Sequence, residues 1–474
     1  RLMTKMKLAD YVINRLGNEG ISQIFEMYGG AIGGLIDAFT RTKTTEYIVT
    51  PHEQIAGFAA EGWAKVKGIP GAAIVTSGPG AQNLVTPIAN CFYDSIPCVY
   101  LTGQAPKEFL RQNNKVRQLA FQETPICEIV APITKYAKMI DNPLEIADEL
   151  EKALYLAKSG RPGPVLLDIP ADLQDREIEL SELTRNFNPS GHEIKYNIQK
   201  IDEQIDKFLY NLKKSERPVA IIGGGVRLAK GLEELIEFGE RFKMPLFPTW
   251  NAVDAVTSDN PYYGGRIGVC GGKGRNFGVQ NSDLLLSVGS RLSLRLLGGN
   301  IKAFAREAKK YAVEVDLESL NATEKIAFPI DEKIHSDAKL FLQRLLTKSK
   351  GQNLPDFSKW NERVLEWRDK YDPAGKEVFE ENSNNGFTHP YAFMRILSEQ
   401  MSKRGIAMAD AGGNVTTFGQ VYETKRGQRA FSSNGNSPMG FAFPAGIGAW
   451  FASDRKQEVV SIIGDGGFNL NSPA

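Results

Sequence analysis

The stretch VVSIIGDGG (residues 459–467) is the most informative part of this chain. Its apolar half, residues 459–463, predicts a buried strand of a parallel sheet. The Gly-Asp-Gly that follows places the carboxylate of Asp465 at the carboxyl edge of that sheet, where open α/β folds bind ligands. Gly464 and Gly466 leave room for a phosphate to approach the backbone, and a carboxylate is an oxygen ligand that Mg²⁺ uses beside a diphosphate. The alternative interpretation is a plain tight turn.

The composition excludes several classes of protein. The 474 residues include 57 basic and 56 acidic side chains, and a net charge of +1 gives no electrostatic case for nucleic acid or an acidic membrane. No apolar run reaches the roughly 20 residues of a membrane span, and the N-terminus lacks a signal-peptide pattern. Four cysteines without metal-ligand spacing predict reduced thiols in a cytoplasmic protein. With only four histidines, a histidine-ligated metal or a Ser/His/Asp hydrolase is disfavoured, so we expect an enzyme that brings in its chemistry with a cofactor.

Strand and helix signals alternate along most of the chain, which is typical of α/β domains. The length suggests roughly three domains. We therefore predict three doubly wound parallel-sheet domains, the third truncated because it stops one turn after the strand at residues 459–463. Their predicted bounds are 1–176, 192–347 and 386–474. Two polar segments are predicted to be a linker (residues 177–197) and a long surface connection (residues 348–385).

A set of short motifs follows in a specific order. In chain order they are PHEQ (51–54), AAEGWA (59–64), TSGPGAQN (76–83), FQETP (121–125), RPGPV (161–165), GNSPMGF (435–441) and GDG (464–466). The first five resemble the pyrimidine-binding domain of thiamine diphosphate enzymes of the acetolactate synthase type. The last two resemble the diphosphate-binding domain of the same family. The resemblance spans essentially the whole chain and implies thiamine diphosphate and Mg²⁺ as cofactors.

The resemblance assigns roles to two acidic residues. Glu53 occupies the position of the glutamate that is hydrogen-bonded to the pyrimidine ring of the cofactor and shifts its tautomer. Its alternative role is an N-terminal helix charge favoured by the helix dipole. Asp465 would hold the metal, and the second metal ligand and a lid of the family lie beyond residue 474.

The resemblance also implies the surroundings of the reaction centre. Met439 would lie under the cofactor and force its bent shape, with core packing as the alternative. Gly30 and Ala31 would form a turn over the reaction centre, where Tyr28 replaces the usual proline. Gln122 would face the substrate, or else be a solvated helix cap. The remaining residues implied to bind the cofactor are Thr76, Gly78, Pro79, Asn83, Asn436, Gly464 and Gly466.

The middle domain carries a second set of residues. Gly223, Gly224 and Gly225 follow an apolar strand and are by themselves a weak nucleotide signal. Together with Trp250, Arg291 and Arg295 they resemble the flavin-binding middle domain of acetolactate synthases, which implies FAD without a net redox task. In other members of the superfamily this domain is empty or binds another adenine nucleotide.

The implied reaction is decarboxylation of a 2-oxoacid, most simply pyruvate, and transfer of the two-carbon unit to a carbonyl acceptor. Ala171 stands where acetolactate synthases carry Lys, and residues 292–294 lack their Phe-Asp-Asp, so a keto-sugar or another carbonyl acceptor stays open. A decarboxylase or lyase without carboligation and a non-catalytic nucleotide-binding relative also stay open. The family builds its sites between two chains, which implies a homodimer or homotetramer.

Overall fold

The computed structural model describes residues 4–111, 115–269, 271–326, 328–384 and 386–472. The chain forms two compact units. The first, here unit 1, comprises Arg1–Glu193 and Ser433–Ala474, and the second, unit 2, comprises Ile194–Ser432.

Unit 1 begins with alternating strands and helices. Its strands are β1 (Lys5–Lys7), β2 (Gln23–Met27), β3 (Glu46–Val49), β4 (Gly71–Val75), β5 (Cys98–Gln104), β6 (Tyr136–Met139), β7 (Pro164–Pro170) and β8 (Glu177–Glu179). Its helices are α1 (Leu8–Asn18), α2 (Gly33–Arg41), α3 (Glu53–Lys67), α4 (Pro79–Gln82), α5 (Val85–Asp94), α6 (Ile126–Val130), α7 (Ile146–Lys158) and α8 (Ala171–Gln174).

The main sheet of unit 1 is parallel throughout its described strands, in the order β3-β2-β4-β5-β7-β6. Strands β5 and β7 are buried along their whole length, as expected of strands covered on both faces by helices. The chain runs from β2 to β3 on one side and then returns to β4 on the other side of β2. The strand order therefore reverses between β2 and β4, and the loops that follow β2, β3 and β4 leave from one edge.

Unit 2 contains a second parallel sheet. Its elements are α9 (Ile198–Leu212), β9 (Pro218–Ile222), α10 (Gly225–Leu228), α11 (Leu232–Phe242), β10 (Leu246–Pro248), α12 (Lys273–Gln280), β11 (Leu284–Val288), α13 (Leu294–Leu297), β12 (Lys309–Glu314), α14 (Leu317–Ala322), β13 (Glu332–His335), α15 (Ala338–Ser349), α16 (Ser358–Lys370), α17 (Lys376–Asn384), α18 (Pro390–Gln400), β14 (Ile406–Ala409), α19 (Gly413–Val421) and β15 (Arg429–Ser432). The sheet order β10-β9-β11-β12-β13 reverses between β9 and β11. Strands β14 and β15 pair in parallel.

The predicted α/β fold with parallel sheets is confirmed, whereas the three predicted domain boundaries stay a prediction.

The predicted surface connection at residues 348–385 is wrong. This segment forms α16 and α17, and α16 packs Trp360 and Val364 into the core of unit 2. Apolar residues four apart on a charged helix form such a buried stripe. The predicted linker at residues 177–197 also contains a strand, because β8 pairs antiparallel with β1. Asn385 lies outside the described residues.

The last part of the chain returns to unit 1 and contains α20 (Ala442–Ala452), β16 (Val459–Ile462) and α21 (Asp465–Asn471). Helix α20 packs against α3 with the backbones in direct contact. A Cβ at Gly62 would overlap the carbonyl oxygen of Ala445, and a Cβ at Gly448 would overlap that of Ala59. Glycine at both positions is therefore required by the close approach of the two helices.

We predict that Gly62→Ala destabilises unit 1 by about 1–3 kcal/mol or more, because the added methyl group must push α20 away from α3. The measurement is the urea midpoint together with the melting temperature. Gly33→Ala is the matched control, since a Cβ at that helical position meets no atom within 4 Å. It should leave stability unchanged or raise it by up to about 1 kcal/mol. Equal effects of the two substitutions would contradict this account of the packing.

Candidate active site and candidate nucleotide site

Glu53 lies at the first position of α3, directly after the loop that leaves β3. The side chain of His52 caps this helix, with Nδ1 accepting the backbone N–H of Gln54 at 3.1 Å. The Oε2 atom of Glu53 accepts a hydrogen bond of 2.8 Å from the side-chain amide of Asn83. The carboxylate is half-buried and points at Gly80, where a Cβ would lie 3.1 Å from Oε1. Asn83 therefore fixes one oxygen of Glu53 and leaves the other beside a glycine.

Thr76 connects this carboxylate to the turn that follows β2. Its Oγ1 accepts the backbone N–H of Ala31 at 3.3 Å, and its Cγ2 would lie 2.7 Å from a Cβ at Gly80. Gly30 faces open space, because a Cβ there would meet no atom within 4 Å. The loops after β2, β3 and β4 thus meet at the reversal of strand order. The structure brings together Glu53, Thr76, Asn83, Gly30 and Ala31.

Gln122 lies against the glycine-rich turn after β4. A Cβ at Gly78 would come within 2.8 Å of the Cβ of Gln122, and Gly78 has a φ of +63° that favours glycine. Gln122 itself has a φ of +59°. Pro79 is exposed at the start of α4. Gly78 and Pro79, the two residues of this turn that were predicted to bind the cofactor, therefore lie next to the Glu53 group.

A buried carboxylate that sequence reasoning missed supports the segment before Ile126. Asp168 on β7 accepts hydrogen bonds from Thr102 Oγ1 at 2.7 Å and from Gln104 Nε2 at 2.9 Å. The same amide of Gln104 donates to the carbonyl oxygen of Thr124 at 2.8 Å, two residues after Gln122. Burial raises the pKa of Asp168 to about 7, although the two hydrogen bonds oppose the shift. No local signal predicts this network, because its members are far apart in sequence.

Glu26 is a second buried carboxylate that sequence reasoning missed. It lies on β2 with 2% of its surface exposed, shortly before Gly29 and Gly30. Burial raises the pKa of its carboxyl group. Within the described residues its Oε2 atom has no hydrogen-bond partner.

The second set of predicted cofactor residues lies in the last part of unit 1. Asp465 is exposed at the first position of α21, directly after Gly464. Met439 is 52% exposed and is therefore not part of the core, and its Cε would lie 3.0 Å from a Cβ at Gly466. Asn436 is exposed three residues before Met439. Asp465 and Met439 therefore form a group around the start of α21.

An open groove of about 1080 Å³ borders this group. Gly464 and Asp465 line one end of it, and its lining residues all come from residues 443–468. The groove is mostly apolar, with Phe443, Trp450 and Phe468 among its side chains. The groove at Asp465 is thus built by the C-terminal elements of unit 1.

The donor set at Asp465 limits what a metal ion could use. Among the described residues, no group of three or more His, Cys, Asp or Glu side chains could hold a metal ion. Mg²⁺ is commonly bound by one or two carboxylates, with phosphates and water as its other ligands. Asp465 fits a magnesium ion that is shared with a diphosphate.

In unit 2 the predicted nucleotide residues meet where the strand order reverses. A Cβ at Gly223 would overlap the carbonyl oxygen of Gly289, and one at Gly225 would lie 2.8 Å from the Cα of Gly289. A Cβ at Gly224 would lie 2.9 Å from the carbonyl oxygen of Asn251, next to Trp250. The loops after β9, β10 and β11 therefore approach one another closely at the reversal of strand order, which is where open α/β sheets bind ligands.

Arg295 and Trp250 form a stacked pair in this unit. The Arg295 guanidinium lies 4.5 Å from the centre of the Trp250 ring, and Arg295 is exposed. The indole N–H of Trp250 is buried without a hydrogen-bond partner among the described residues. Arg291 is exposed in the loop after β11. An orphaned indole donor beside an exposed guanidinium fits a flavin nucleotide.

The start of α19 is a further feature that sequence reasoning missed. Helix α19 begins at Gly413 after strand β14, and Gly412 has a φ of +85°. Its N-terminal backbone N–H groups favour an anion.

Among the residues that the structure describes, no helix combines the length and apolarity needed to cross a membrane.

Three family models match this chain in order. They are the thiamine pyrophosphate enzyme N-terminal TPP binding domain over residues 6–126, the central domain over residues 205–345, and the C-terminal TPP binding domain over residues 410–474. Thiamine pyrophosphate (TPP) is another name for thiamine diphosphate.

Similar proteins include several acetolactate synthases. The probable acetolactate synthase large subunit of Methanocaldococcus jannaschii is 35% identical over 471 residues, which is 98% of this chain and 77% of that protein. The acetolactate synthase large subunit of Lactococcus lactis is 31% identical over 99% of this chain and 79% of its own length. The chloroplastic acetolactate synthase of Arabidopsis thaliana is 32% identical over 98% of this chain and 67% of its own length.

We predict that Asp168 makes stability fall as pH rises between about 4 and 7. Its ordinary pKa is 3.8 and its pKa in the folded chain is about 7, so in this window the folded state keeps a proton that the unfolded chain has lost. The difference in unfolding free energy between the wild type and Asp168→Asn should decrease with pH, by at most ~1.4 kcal/mol per pH unit. Urea unfolding at several pH values measures it.

The control for this series is Asp141→Asn, because the side chain of Asp141 is 61% exposed in a surface ion pair. This variant removes one surface carboxylate and leaves the buried network of Asp168 intact. If the Asp168→Asn difference does not decrease with pH more steeply than the Asp141→Asn difference, then Asp168 does not titrate as its burial implies.

Proposed function

Because the chain belongs to the thiamine pyrophosphate enzymes of the acetolactate synthase type, we propose that it decarboxylates pyruvate and transfers the two-carbon unit to a carbonyl acceptor. The observation that carries the proposal is the position of Glu53, held by Asn83 at the edge where the strand order reverses. Thiamine pyrophosphate and Mg²⁺ are its cofactors. The first supplies a nucleophilic ring carbon and an electron sink for the electrons released with CO₂.

Glu53 has the chemistry to hold a proton beside the cofactor. Its Oε2 atom accepts from Asn83, so its Oε1 atom is the oxygen that shares a proton with a pyrimidine ring nitrogen. The glycine at position 80 keeps the space beside Oε1 narrow but unfilled. In this role Asn83 orients the carboxylate, and Thr76 fixes the turn at Ala31.

The other predicted residues surround the reacting atoms. Gly30 leaves space above the centre, while Gln122 offers an amide to the 2-oxoacid or the acceptor. Gly78 and Pro79 belong to the same wall as Gln122. At the diphosphate end, Asp465 binds Mg²⁺, Gly464 and Gly466 allow phosphates near the backbone, and Asn436 and Met439 complete the cofactor contacts.

The site is proposed to form between two copies of the chain. The groove at Asp465 is lined by residues 443–468, whereas Glu53 lies at the sheet edge formed by β2, β3 and β4. Glu53 of one chain would then face the Asp465 group of a second chain. This arrangement requires at least a homodimer, and a homotetramer would contain two such pairs.

FAD is the proposed ligand of unit 2. Gly223, Gly224 and Gly225 would approach its diphosphate, and the orphaned N–H of Trp250 would gain a partner. Arg291 and Arg295 supply positive charge beside these turns. The flavin would be structural, with no net redox task.

We propose that the enzyme is cytoplasmic and acts on small carbonyl compounds. Cys91, Cys98 and Cys127 are free thiols, which supports a cytoplasmic enzyme. Its partners would be the small 2-oxoacid and the acceptor. A keto-sugar acceptor is the second candidate, favoured by Ala171 and by the apolar Leu292 and Leu294 where the family carries charged or aromatic residues.

We predict that the protein, supplied with pyruvate, thiamine pyrophosphate and Mg²⁺, releases CO₂ and forms a new carbon–carbon bond. Glu53→Gln should lower turnover by about 100-fold or more, because the amide cannot share the proton. The affinity of this variant for thiamine pyrophosphate, measured by titration, should equal that of the wild type. Mass spectrometry of the products, with pyruvate alone and with added carbonyl compounds, identifies the acceptor.

Glu46→Gln is the control, because the Glu46 carboxylate pairs with Arg455 on the surface. It should keep full turnover. Acetaldehyde as the sole product under every condition would favour a decarboxylase. Full activity of Glu53→Gln would contradict the catalytic role altogether.

We predict that the purified protein carries a flavin and that Arg295→Ala weakens FAD binding about 10-fold, through loss of the stacked guanidinium. The ratio of flavin to protein absorbance after gel filtration measures the occupancy. The control is Arg363→Ala, which removes an exposed guanidinium over Trp367 in the same unit. A colourless protein that takes up no added FAD would refute the assignment.

A further inference from the structure

Three charged side chains are buried together on one side of α3. Lys65 is 6% exposed, and its Nζ lies 2.8 Å from Glu61 Oε1 and 3.5 Å from Asp94 Oδ2. The side chains of Glu61 and Asp94 are 0% and 2% exposed. Taking such charges out of water is costly, and a buried ion pair rarely stabilises a fold more than apolar packing would. We call these three residues the Lys65 cluster.

The cluster holds the backbone at residues 434 and 435. The two carboxylate oxygens of Asp94 accept the backbone N–H groups of Asn434 at 3.0 Å and Gly435 at 2.9 Å. A Cβ at Gly435 would lie 2.7 Å from the Cβ of Tyr93, so the loop is tight against the end of α5. Asp94 therefore acts as a double acceptor for the loop that precedes Asn436.

Glu61 reaches the same loop through one intermediate. Its Oε2 atom accepts from Asn90 Nδ2 at 2.6 Å, and Asn90 Oδ1 accepts from Ser433 Oγ at 2.5 Å. Ser433 Oγ in turn accepts the backbone N–H of Ser437 at 3.2 Å. A continuous chain of hydrogen bonds thus runs from Glu61 to both sides of Asn436.

Lys65 contacts the far end of the segment. Its Nζ lies 4.9 Å from the centre of the Phe441 ring, which also packs edge-on against Phe58 at 5.6 Å. Residues 433–441, here the cofactor segment, are therefore fixed at both ends. Between the fixed ends, Asn436 and Met439 remain exposed.

We propose that Lys65, Glu61 and Asp94 are positioning residues that hold the cofactor segment in the shape that binds thiamine pyrophosphate. This inference rests on the proposed function, since it assigns the cofactor to Asn436 and Met439. None of the three contacts the reacting atoms. They act through the backbone of the segment. Substituting them should therefore change the affinity for the cofactor more than the rate of the chemical step.

The charge balance of the cluster supports this role. Two carboxylates surround one ammonium group, and burial, together with the nearby Asp94, raises the pKa of Glu61. Burial alone would lower the pKa of Lys65, but the carboxylates of Glu61 and Asp94 outweigh it and raise that pKa. Lys65 is therefore kept as the cation that allows Asp94 to accept two backbone N–H groups.

The test measures thiamine pyrophosphate binding to the whole chain in the presence of Mg²⁺. Asp94→Asn replaces one accepting oxygen with a donor and should weaken binding about 10-fold or more, with turnover recovered at a saturating concentration of the cofactor. Ser433→Ala keeps all three charges, so it should fold normally and weaken binding a few-fold. Lys65→Met and Asp94→Asn should also be measured separately and together. The double variant should bind thiamine pyrophosphate no more weakly than the weaker-binding of the two single variants, because the cluster acts as a unit.

Cys98→Ala is the matched control. Cys98 is fully buried in unit 1 against Cys91, and removing its sulfur lowers stability without removing a hydrogen bond to the cofactor segment. Its cofactor affinity should equal that of the wild type. If Asp94→Asn and Ser433→Ala bind the cofactor as tightly as the wild type, or if Cys98→Ala loses as much affinity as they do, the positioning role is refuted.

The proposed function fails in a different way. A wild-type protein that binds no thiamine pyrophosphate with Mg²⁺ would refute the assignment of the cofactor itself. A wild type that binds it, with variants that are indistinguishable from it, would refute only the role of the Lys65 cluster.

Discussion

The direct backbone contact between α3 and α20 is the constraint on which unit 1 depends. Gly62 and Gly448 each place a hydrogen atom where any side chain would overlap a carbonyl oxygen of the other helix. Because α3 begins with Glu53 and follows β3, its position also sets the position of that carboxylate. One helix therefore carries the proposed proton-holding group at its start and the packing surface for the C-terminal elements further along.

The same helix shows why a charged cluster is retained in a core that could have been apolar. A hydrophobic replacement for Lys65, Glu61 and Asp94 would avoid the cost of burying ions. It would also remove the carboxylate that accepts the backbone N–H groups of Asn434 and Gly435, and a hydrogen bond to a charged group contributes about 1.5–3 kcal/mol. The cluster thus stabilises one backbone shape of the loop, which apolar packing cannot specify.

The sequence predicted the parts of the fold that local patterns determine. Apolar runs at β5 and β7 mark strands covered on both faces, and the motif order predicted the family, which is confirmed. The apolar run at residues 459–463 also forms a strand, but β16 is half-buried along its length instead of buried as predicted. No apolar run marks the edge strand β6, because it is half-buried and mixes apolar with charged residues. Helices α16 and α17 were not predicted, because the charged residues, glycines and prolines of this segment indicated a surface connection. The apolar stripe that reveals a helix is narrow here.

The same distinction applies to the candidate site. Glu53, Gly78 and Asp465 lie in short motifs next to strand ends, so their neighbourhood could be predicted from chain order. Asp168 and Glu26 belong to no motif, and their burial follows from strands that pair only in the folded chain. Long-range hydrogen bonds of this kind have no sequence period by which they could be recognised.

In the proposed site, the chemistry at Asp465 would make metal and cofactor binding depend on each other. A single exposed carboxylate offers Mg²⁺ few of the six oxygen ligands that it requires, and no cluster of acidic side chains lies near it among the described residues. Phosphate oxygens would supply more, and the ion would in turn neutralise the charge that two phosphates bring to Gly464 and Gly466. Each ligand would therefore strengthen the binding of the other, because the diphosphate supplies oxygen ligands that Asp465 alone does not.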